Sequence, residues 1–440
     1  VQSSRPSLLR SMMDAFRLPD LRNRILFTLM ILAVFRLIAH VPLPGVDLAG
    51  LRQLFERNQL LGMLDLFSGG AMRNMSVAAM GVYPYITSSI VMQLLVPVIP
   101  GLQSLAKEGE SGRNRINVIT HWVTVPLAIL QGYGQLVLLS QQGVISGIGL
   151  TGPNLLPTAS MVISMTAGTM FLVWLGELIT ERGIGNGISI IIFGGIVAGL
   201  PDMIGRSFIG RANIPGLLAF SILGLLTVVL IVIFTEAHRR IPVQYARVSY
   251  RGGKMYRQGA SSYIPLRVNT AGMIPLIFAI SIMIFPGTIA SYFAGNPGIG
   301  GKIASFIMVM FDSVTMPWAY FYWAVYFLLV VGFAFFYTMV IFQQMDMANN
   351  LQKQGGFVPG IRPGKPTAEY FNNIVIHITW GGALFLAFVA ILPFIARQVT
   401  NVQVLQLGST GLLIVVGVVL DTMRQLEGQL LMRHYQGFIK

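Results

Sequence analysis

The sequence predicts an all-α polytopic membrane protein with ten transmembrane helices. Three observations carry this. Hydrophobic residues make up 54% of the 440 residues and charged residues only 10%, where soluble domains carry roughly 25% charged. Ten long apolar stretches run through the chain, and about twenty apolar residues in a helix cross a hydrocarbon core roughly 30 Å thick. Amides in lipid must be satisfied within their own segment, so each stretch is expected to be helical. The basic residues, finally, gather on every second loop.

In chain order the spans are expected at Ile25–Val41, Met75–Val98, Asn117–Leu139, Ala159–Ile179, Ile188–Leu200, Ile214–Phe234, Ala271–Phe293, Pro317–Phe342, Ile374–Ile395 and Gly408–Leu420. The fifth is short and closed by Pro201; it is either tilted or extended by Pro201–Ile209. With the N-terminus on one side and strict alternation, that side receives 22 of the 30 Lys and Arg residues. The other side receives Arg52, Arg57, Arg73, Arg206, Arg211, Lys302 and Arg397, and Arg36 lies inside a span. The positive-inside rule then places both termini in the cytoplasm. The net charge of +14 is read as loops facing anionic lipid rather than as a nucleic-acid signature. Val1–Asp20 is polar and basic without an apolar signal core, so it is not expected to be a removable signal peptide.

Three connections carry structure of their own. Leu61–Arg73 (LGMLDLFSGGAMR) is apolar, too short to span and broken by Gly69-Gly70. It is either an interfacial half-helix or an element tucked into the bundle from outside, where irregular backbone must be buried in protein or line a cavity. Glu236–Arg267 reads as a hairpin, with Arg247–Tyr250 and Lys254–Arg257 flanking Arg251-Gly252-Gly253. Gln343–Asn373 holds Gly355-Gly356-Phe357-Val358-Pro359-Gly360-Ile361-Arg362-Pro363-Gly364, a density of Gly and Pro that forbids helix and makes a rigid exposed tip. There is also an internal echo. Gly81-Val82-Tyr83-Pro84-Tyr85-Ile86 opens the second span and Gly272-Met273-Ile274-Pro275-Leu276-Ile277 the seventh, each the second helix of a five-span half. An odd number of spans per half inverts the second half, and interrupted helices in matching positions point to a pathway between the halves.

Reactive chemistry is sparse. There is no cysteine, and His40, His121, His238, His377 and His434 are scattered without ligand spacing, so no metal site is expected. No nucleotide-binding loop or serine elbow occurs, and Gly183-Ile184-Gly185-Asn186-Gly187 falls between two spans, where a tight helix–helix turn is the expectation. These absences predict a protein that is not an enzyme and holds no cofactor. Arg36 is the exception within the spans, with Glu177 and Asp421 near span ends. Arg36 is either a functional site or a group that snorkels or caps a neighbour's carbonyls, and the second is favoured. Val82, Ile86 and Ile90 repeat every fourth residue, as do Ile188 and Ile192. On pattern alone this is helix packing or lipid contact.

Specific motifs narrow the choice. They are Pro42-Leu43-Pro44-Gly45-Val46-Asp47, Leu66-Phe67-Ser68-Gly69-Gly70, Met80–Ile86, Lys107-Glu108-Gly109-Glu110, Ile179–Gly187, Arg239-Arg240-Ile241-Pro242-Val243-Gln244-Tyr245-Ala246, Pro359–Gly364 and Leu412-Leu413-Ile414-Val415-Val416. In these, and in their order along nearly the whole chain, the sequence resembles the SecY/Sec61-alpha family of protein-translocation channels. The resemblance implies two inverted five-helix halves forming an hourglass, with a pore ring at Val82, Ile86, Ile188, Ile192, Ile277 and Ile414. It implies a plug at 61–73, including Leu64, Leu66, Phe67, Ser68, Gly69 and Gly70. It also implies a lateral gate between the second and seventh spans, with Thr87, Ile90, Asn269, Pro275 and Phe285, in which Thr87 and Asn269 are expected to bond between helices. Arg239, Arg240, Arg251, Lys254, Arg257, Arg362 and Lys365 would form the docking face for the ribosome, through its RNA, and for a SecA ATPase. SecE and SecG small membrane subunits, signal peptides, nascent chains and the lipid bilayer are the further partners implied, and the bacterial plasma membrane is the implied location. The domains are then a cytoplasmic segment 1–24, a first half 25–209, a second half 210–425 holding the loops 236–267 and 343–373, and a cytoplasmic tail 426–440. Two departures from the family pattern stand out: Val82 where Ile is usual, and fewer consecutive basic residues at the hairpin tip. The competing reading is a secondary solute transporter, which also has inverted repeats and broken helices but requires a polar midplane site.

Overall fold

A computed structural model describes residues 18–44, 46, 50–51, 65, 68–141, 143–145, 147–149, 152–209, 214–251, 254–270, 272, 274–293, 298–311, 317–400 and 406–436. Each of the ten apolar stretches falls on a helix. These are α1 (Pro19–Ile38), α2 (Tyr83–Leu95), α4 (Glu110–Gln141), α5 (Leu155–Arg182), α6 (Gly187–Ile209), α7 (Ile214–Glu236), α8 (Ile274–Phe293), α10 (Trp318–Met345), α12 (Lys365–Thr400) and α13 (Gln406–Gln436). Three more helices interrupt the connections: α3 (Pro100–Lys107), α9 (Ile299–Met310) and α11 (Met347–Lys353). α6 runs through Pro201 to Ile209, which is the extended alternative for the fifth span.

Among the described residues, four helical stretches are long and apolar enough to cross a membrane: Glu110–Ser140, Gly152–Arg182, Trp318–Lys353 and Lys365–Leu392. The bent pair α2 and α3, turned by 97°, makes a fifth. The ten-span expectation therefore exceeds what length and composition alone establish. The surface is that of a protein in lipid, with Leu156 82% and Trp122 74% exposed, an inversion that water would penalise over so many residues.

The second span begins later than expected. Residues 77–82 are turns, and the helix starts at Tyr83. Met75 at φ 40° and Gly81 at φ 57° are left-handed, which breaks the helical path. Val82 is the residue before the helix, and its carbonyl accepts from the Ile86 N–H at 3.0 Å. α8 opens in the same way. Gly272 is left-handed at φ 64°, and Pro275, like Pro84, is the second residue of its helix. Proline suits that position because the amide it lacks would have no helical partner there.

The hairpin is far longer than its sequence signal. β1 (His238–Arg251) and β2 (Lys254–Arg267) pair antiparallel from His238↔Arg267 to Arg251↔Lys254. A short β3 (Gly356–Phe357) joins β1 through Gln244↔Phe357 and Tyr245↔Gly356. The two long loops thus form one three-stranded sheet. A small apolar core under it unites Ile241 and Val243 with Leu351, Val358 and Phe371. The main core is separate and draws on α1, α2, α4, α5, α6, α7, α8, α10, α12 and α13 together with residues 71–80.

Candidate functional site

The six aliphatic residues assigned to the ring all belong to the main apolar cluster. Val82, Ile86, Ile192 and Ile414 are buried, while Ile188 and Ile277 are partly buried against it. They come from α2, α6, α8 and α13, with Val82 just ahead of α2. Ile188 also packs against α5: a Cβ added at Gly176 would stand 2.6 Å from its δ-methyl. The side chains offer no hydrogen-bonding group to anything that passes them.

Below Val82 in sequence lies the segment assigned to the plug. Leu64, Leu66 and Phe67 lie outside the described residues. Asp65 and Ser68 are buried, as are Ala71, Met72 and Met75. The loop closes on itself. The Ser68 hydroxyl donates to the Asp65 carbonyl at 3.0 Å and accepts from the Met72 N–H at 3.0 Å. Arg73 pairs with the Asp65 carboxylate at 2.6 Å. Asp65 lies outside the spanning helices; burial raises its pKa above the ordinary carboxylate value, and the charge of Arg73 opposes that rise. Gly69 and Gly70 are left-handed at φ 66° and 83°. Sequence reasoning favoured a structural role for Arg36, and its geometry is that of a cap: its Nη1 donates to the Gly69 carbonyl at 2.8 Å. The loop is further tied to the end of α1, where the Leu43 N–H donates to the Met75 carbonyl at 2.9 Å and the Val77 N–H to the Val41 carbonyl at 3.0 Å.

The residues assigned to the gate bond differently from the expectation. The Thr87 hydroxyl donates to the Tyr83 carbonyl on its own helix at 3.0 Å, so its proton is not available to Asn269. Asn269, Pro275 and Ile90 are buried and Phe285 is exposed. A bond between α2 and α8 is made by the Tyr83 hydroxyl, which donates to the Ser281 carbonyl at 3.3 Å. A second polar group ties α2, α4 and α5. Glu177 lies 3.1 Å from His121 Nε2 and accepts from Asn117 at 3.1 Å, and Asn117 in turn accepts from the Tyr85 hydroxyl at 3.3 Å. Sequence reading registered Glu177 and His121 separately and had no signal that joined them.

On the sheet, Arg239 and Arg240 are exposed on β1, and Arg240 lies over the Tyr263 ring at 4.9 Å. Arg251 and Lys254 are the last register partners of the hairpin, and Arg257 pairs with Val248. Arg362 and Lys365 are exposed at the tip of the second loop, where Gly360 and Gly364 are left-handed at φ 83° and 103°. The Arg362 carbonyl is held by the Thr367 hydroxyl at 2.8 Å. Arg424, missed by sequence reading, joins α13 to the end of α7 by pairing with Glu236 at 2.9 Å and donating to the Thr235 carbonyl.

A lipid-exposed helical bundle, an aliphatic cluster without polar groups, a buried glycine-jointed loop beside it and a basic sheet outside define a multi-pass membrane channel protein. The comparisons with known proteins agree. The sequence model of the SecY family matches residues 76–423. "Protein translocase subunit SecY" of Streptomyces galbus is 42% identical over 98% of this chain and 100% of its own length. The protein of the same description from Halalkalibacterium halodurans is 44% identical, again over 98% and 100%. The chain belongs to the SecY family; it is a SecY/Sec61-alpha-type membrane translocase, a channel and not an enzyme. Two solved structures share the fold. "The structure of a protein conducting channel" matches with TM-score 0.63 at 17% identity over 92% of this chain and 91% of that one. Sec61 in a canine ribosome–channel complex matches with TM-score 0.61 at 18% identity, over the same shares.

Proposed function

We propose that the chain passes unfolded secretory polypeptides across a bacterial plasma membrane and releases transmembrane segments sideways into lipid. Ten spans in two inverted halves form an hourglass with both termini cytoplasmic. The matched openings of α2 and α8, each a left-handed glycine followed by a proline at the second helical position, support the repeat. The observation that carries the reading is the aliphatic cluster of Val82, Ile86, Ile188, Ile192, Ile277 and Ile414 set next to a buried loop with two left-handed glycines. An aliphatic ring dewets and blocks ions and water at rest. It holds no client sequence selectively, and it closes around whatever extended chain is present.

Residues 61–73 act as the plug. Thr87, Ile90, Asn269, Pro275 and Phe285 line the gate between α2 and α8. A Leu-rich client helix gains about 0.3–0.6 kcal/mol per residue in lipid and a central charge costs about 2.5–3.5 kcal/mol, so a gate that opens briefly lets that sum decide between export and insertion. The sheet and the 359–365 tip dock the ribosome or a SecA-type ATPase through Arg239, Arg240, Arg251, Lys254, Arg257, Arg362 and Lys365; contacts to ribosomal RNA phosphates there are salt-sensitive. SecE and SecG complete the membrane complex. The test is reconstitution with SecE and the ATPase in proteoliposomes. A secretory precursor should become protease-protected inside. Failure of precursor entry together with uptake of a small solute would establish the transporter reading instead.

A further inference from the structure

The loop assigned to the plug sits on a glycine of α6. A Cβ added at Gly195 would overlap the Gly69 Cα, and one added at Gly69 would stand 2.8 Å from the Gly195 Cα and 2.7 Å from Phe35 Cζ. Backbone therefore meets backbone at this point, and side chains are excluded from both partners. The neighbouring Gly194 performs the same service for α1, since a Cβ there would stand 2.7 Å from Leu32 Cδ2. Arg36, one residue beyond the Phe35 that abuts Gly69, closes the seat by donating to the Gly69 carbonyl at 2.8 Å. Ile192 lies three residues before Gly195 on α6, and residues at that spacing share a helix face.

We propose that Gly195 and Arg36 are the positioning residues of the closed plug, and that α6 is the element through which an entering chain releases it. The inference rests on the channel reading above. A polypeptide that displaces Ile192 moves the helix face that carries Gly195. The tight seat for Gly69 is lost, and at that point of the loop the Arg36 bond is left to hold it. The ring and the plug are coupled because one helix supplies a contact to each, so no separate signal is needed.

The chain has no cysteine, so Ala71→Cys, at a fully buried site of the loop, gives a single thiol. The full-length protein carrying it is reconstituted with its partners in proteoliposomes. Modification by a water-soluble maleimide and leakage of a small anion are then followed without a client. Gly195→Ala, whose Cβ would overlap the Gly69 Cα, should raise the modification rate by about tenfold or more and make resting vesicles leak, the scale of a small-to-large change in a packed site. Arg36→Met should do the same, and Arg36→Lys less. Gly199→Ala is the matched control on the same helix, because a Cβ there meets nothing within 4 Å; it should behave as the parent. Parent-like labelling and tight vesicles in both Gly195→Ala and Arg36→Met would overturn the proposal, as would equal opening by Gly199→Ala. Failure of the channel reading would show differently: the parent itself would not translocate a precursor.

Discussion

Replacing Ile86, Ile192 and Ile277 together with Asn tests the constriction directly. Ile86 is 6% and Ile192 2% exposed, and Ile277 is partly buried in the same cluster. A buried Ile forfeits about 1.5–3 kcal/mol when its apolar surface is lost, and an amide stripped of water adds a cost of about 1–3 kcal/mol. These costs fall on the closed state, since an open, wet pore hydrates the amides. Counting only about 2 kcal/mol for each of the two buried positions shifts the closed-to-open ratio by about a thousandfold. The assay is anion conductance of resting proteoliposomes, run beside export of a precursor whose signal peptide has been weakened. Conductance should rise steeply and the weakened precursor should pass. Unchanged conductance and unchanged discrimination in a triple variant that still inserts would show that these residues are a packing seam.

Three further outcomes follow from the geometry. Tyr83→Phe removes the bond from α2 to the Ser281 carbonyl and should favour gate opening by about 0.5–1.5 kcal/mol, read as export of signal-impaired precursors; Thr87→Val, which loses only a bond within its own helix, should have no such effect. Asp65→Asn leaves Arg73 without its carboxylate partner, a change that costs about 3–5 kcal/mol for a fully buried pair and less here because Arg73 is 28% exposed; limited proteolysis of the loop should increase, and Asp65→Asn with Arg73→Met should restore much of the protection. Gly356→Val places a Cβ 2.6 Å from Leu351 Cδ1 and 2.8 Å from Tyr245 Cε1, so β3 should detach and co-sedimentation with ribosomes should weaken while the resting vesicles stay sealed.

The helices were legible because lipid imposes a simple rule: each apolar stretch falls on a helix, and among the described residues four helical stretches, or five with the bent pair α2 and α3, are long and apolar enough to cross a membrane. α9 escaped because Gly300, Gly301 and Lys302 at its start read as a loop when hydropathy is averaged. The true start of α2 depended on left-handed backbone at Met75 and Gly81; the Gly–Pro motif was visible, but nothing in it said that the turns before it were not helical. The hairpin was legible from the Gly-Gly signal, whose residues lie outside those described, whereas its length was not. Pairing continues through Pro242 and Pro265, residues that argue against strand locally, because the base of the sheet packs on α11 and α12. Thr87 and Asn269 carried the right chemistry for a bond between helices, yet the Tyr83 carbonyl one turn away captured the hydroxyl, a common fate of Thr in a helix. Gly69 and Gly195 both stand in the sequence as members of Gly-Gly pairs; that these two meet is a property of tertiary packing alone.

The pairing of β3 with β1 settles what an external partner can take hold of. Both strands spring from loops that follow Ile214, between α7 and α8 and between α10 and α12. Two adjacent register pairs of an antiparallel ladder rivet these loops into one handle, and Arg424 fastens the root of that handle to α13. A load applied to that handle is therefore shared by both loops and by α13, and neither loop bends alone.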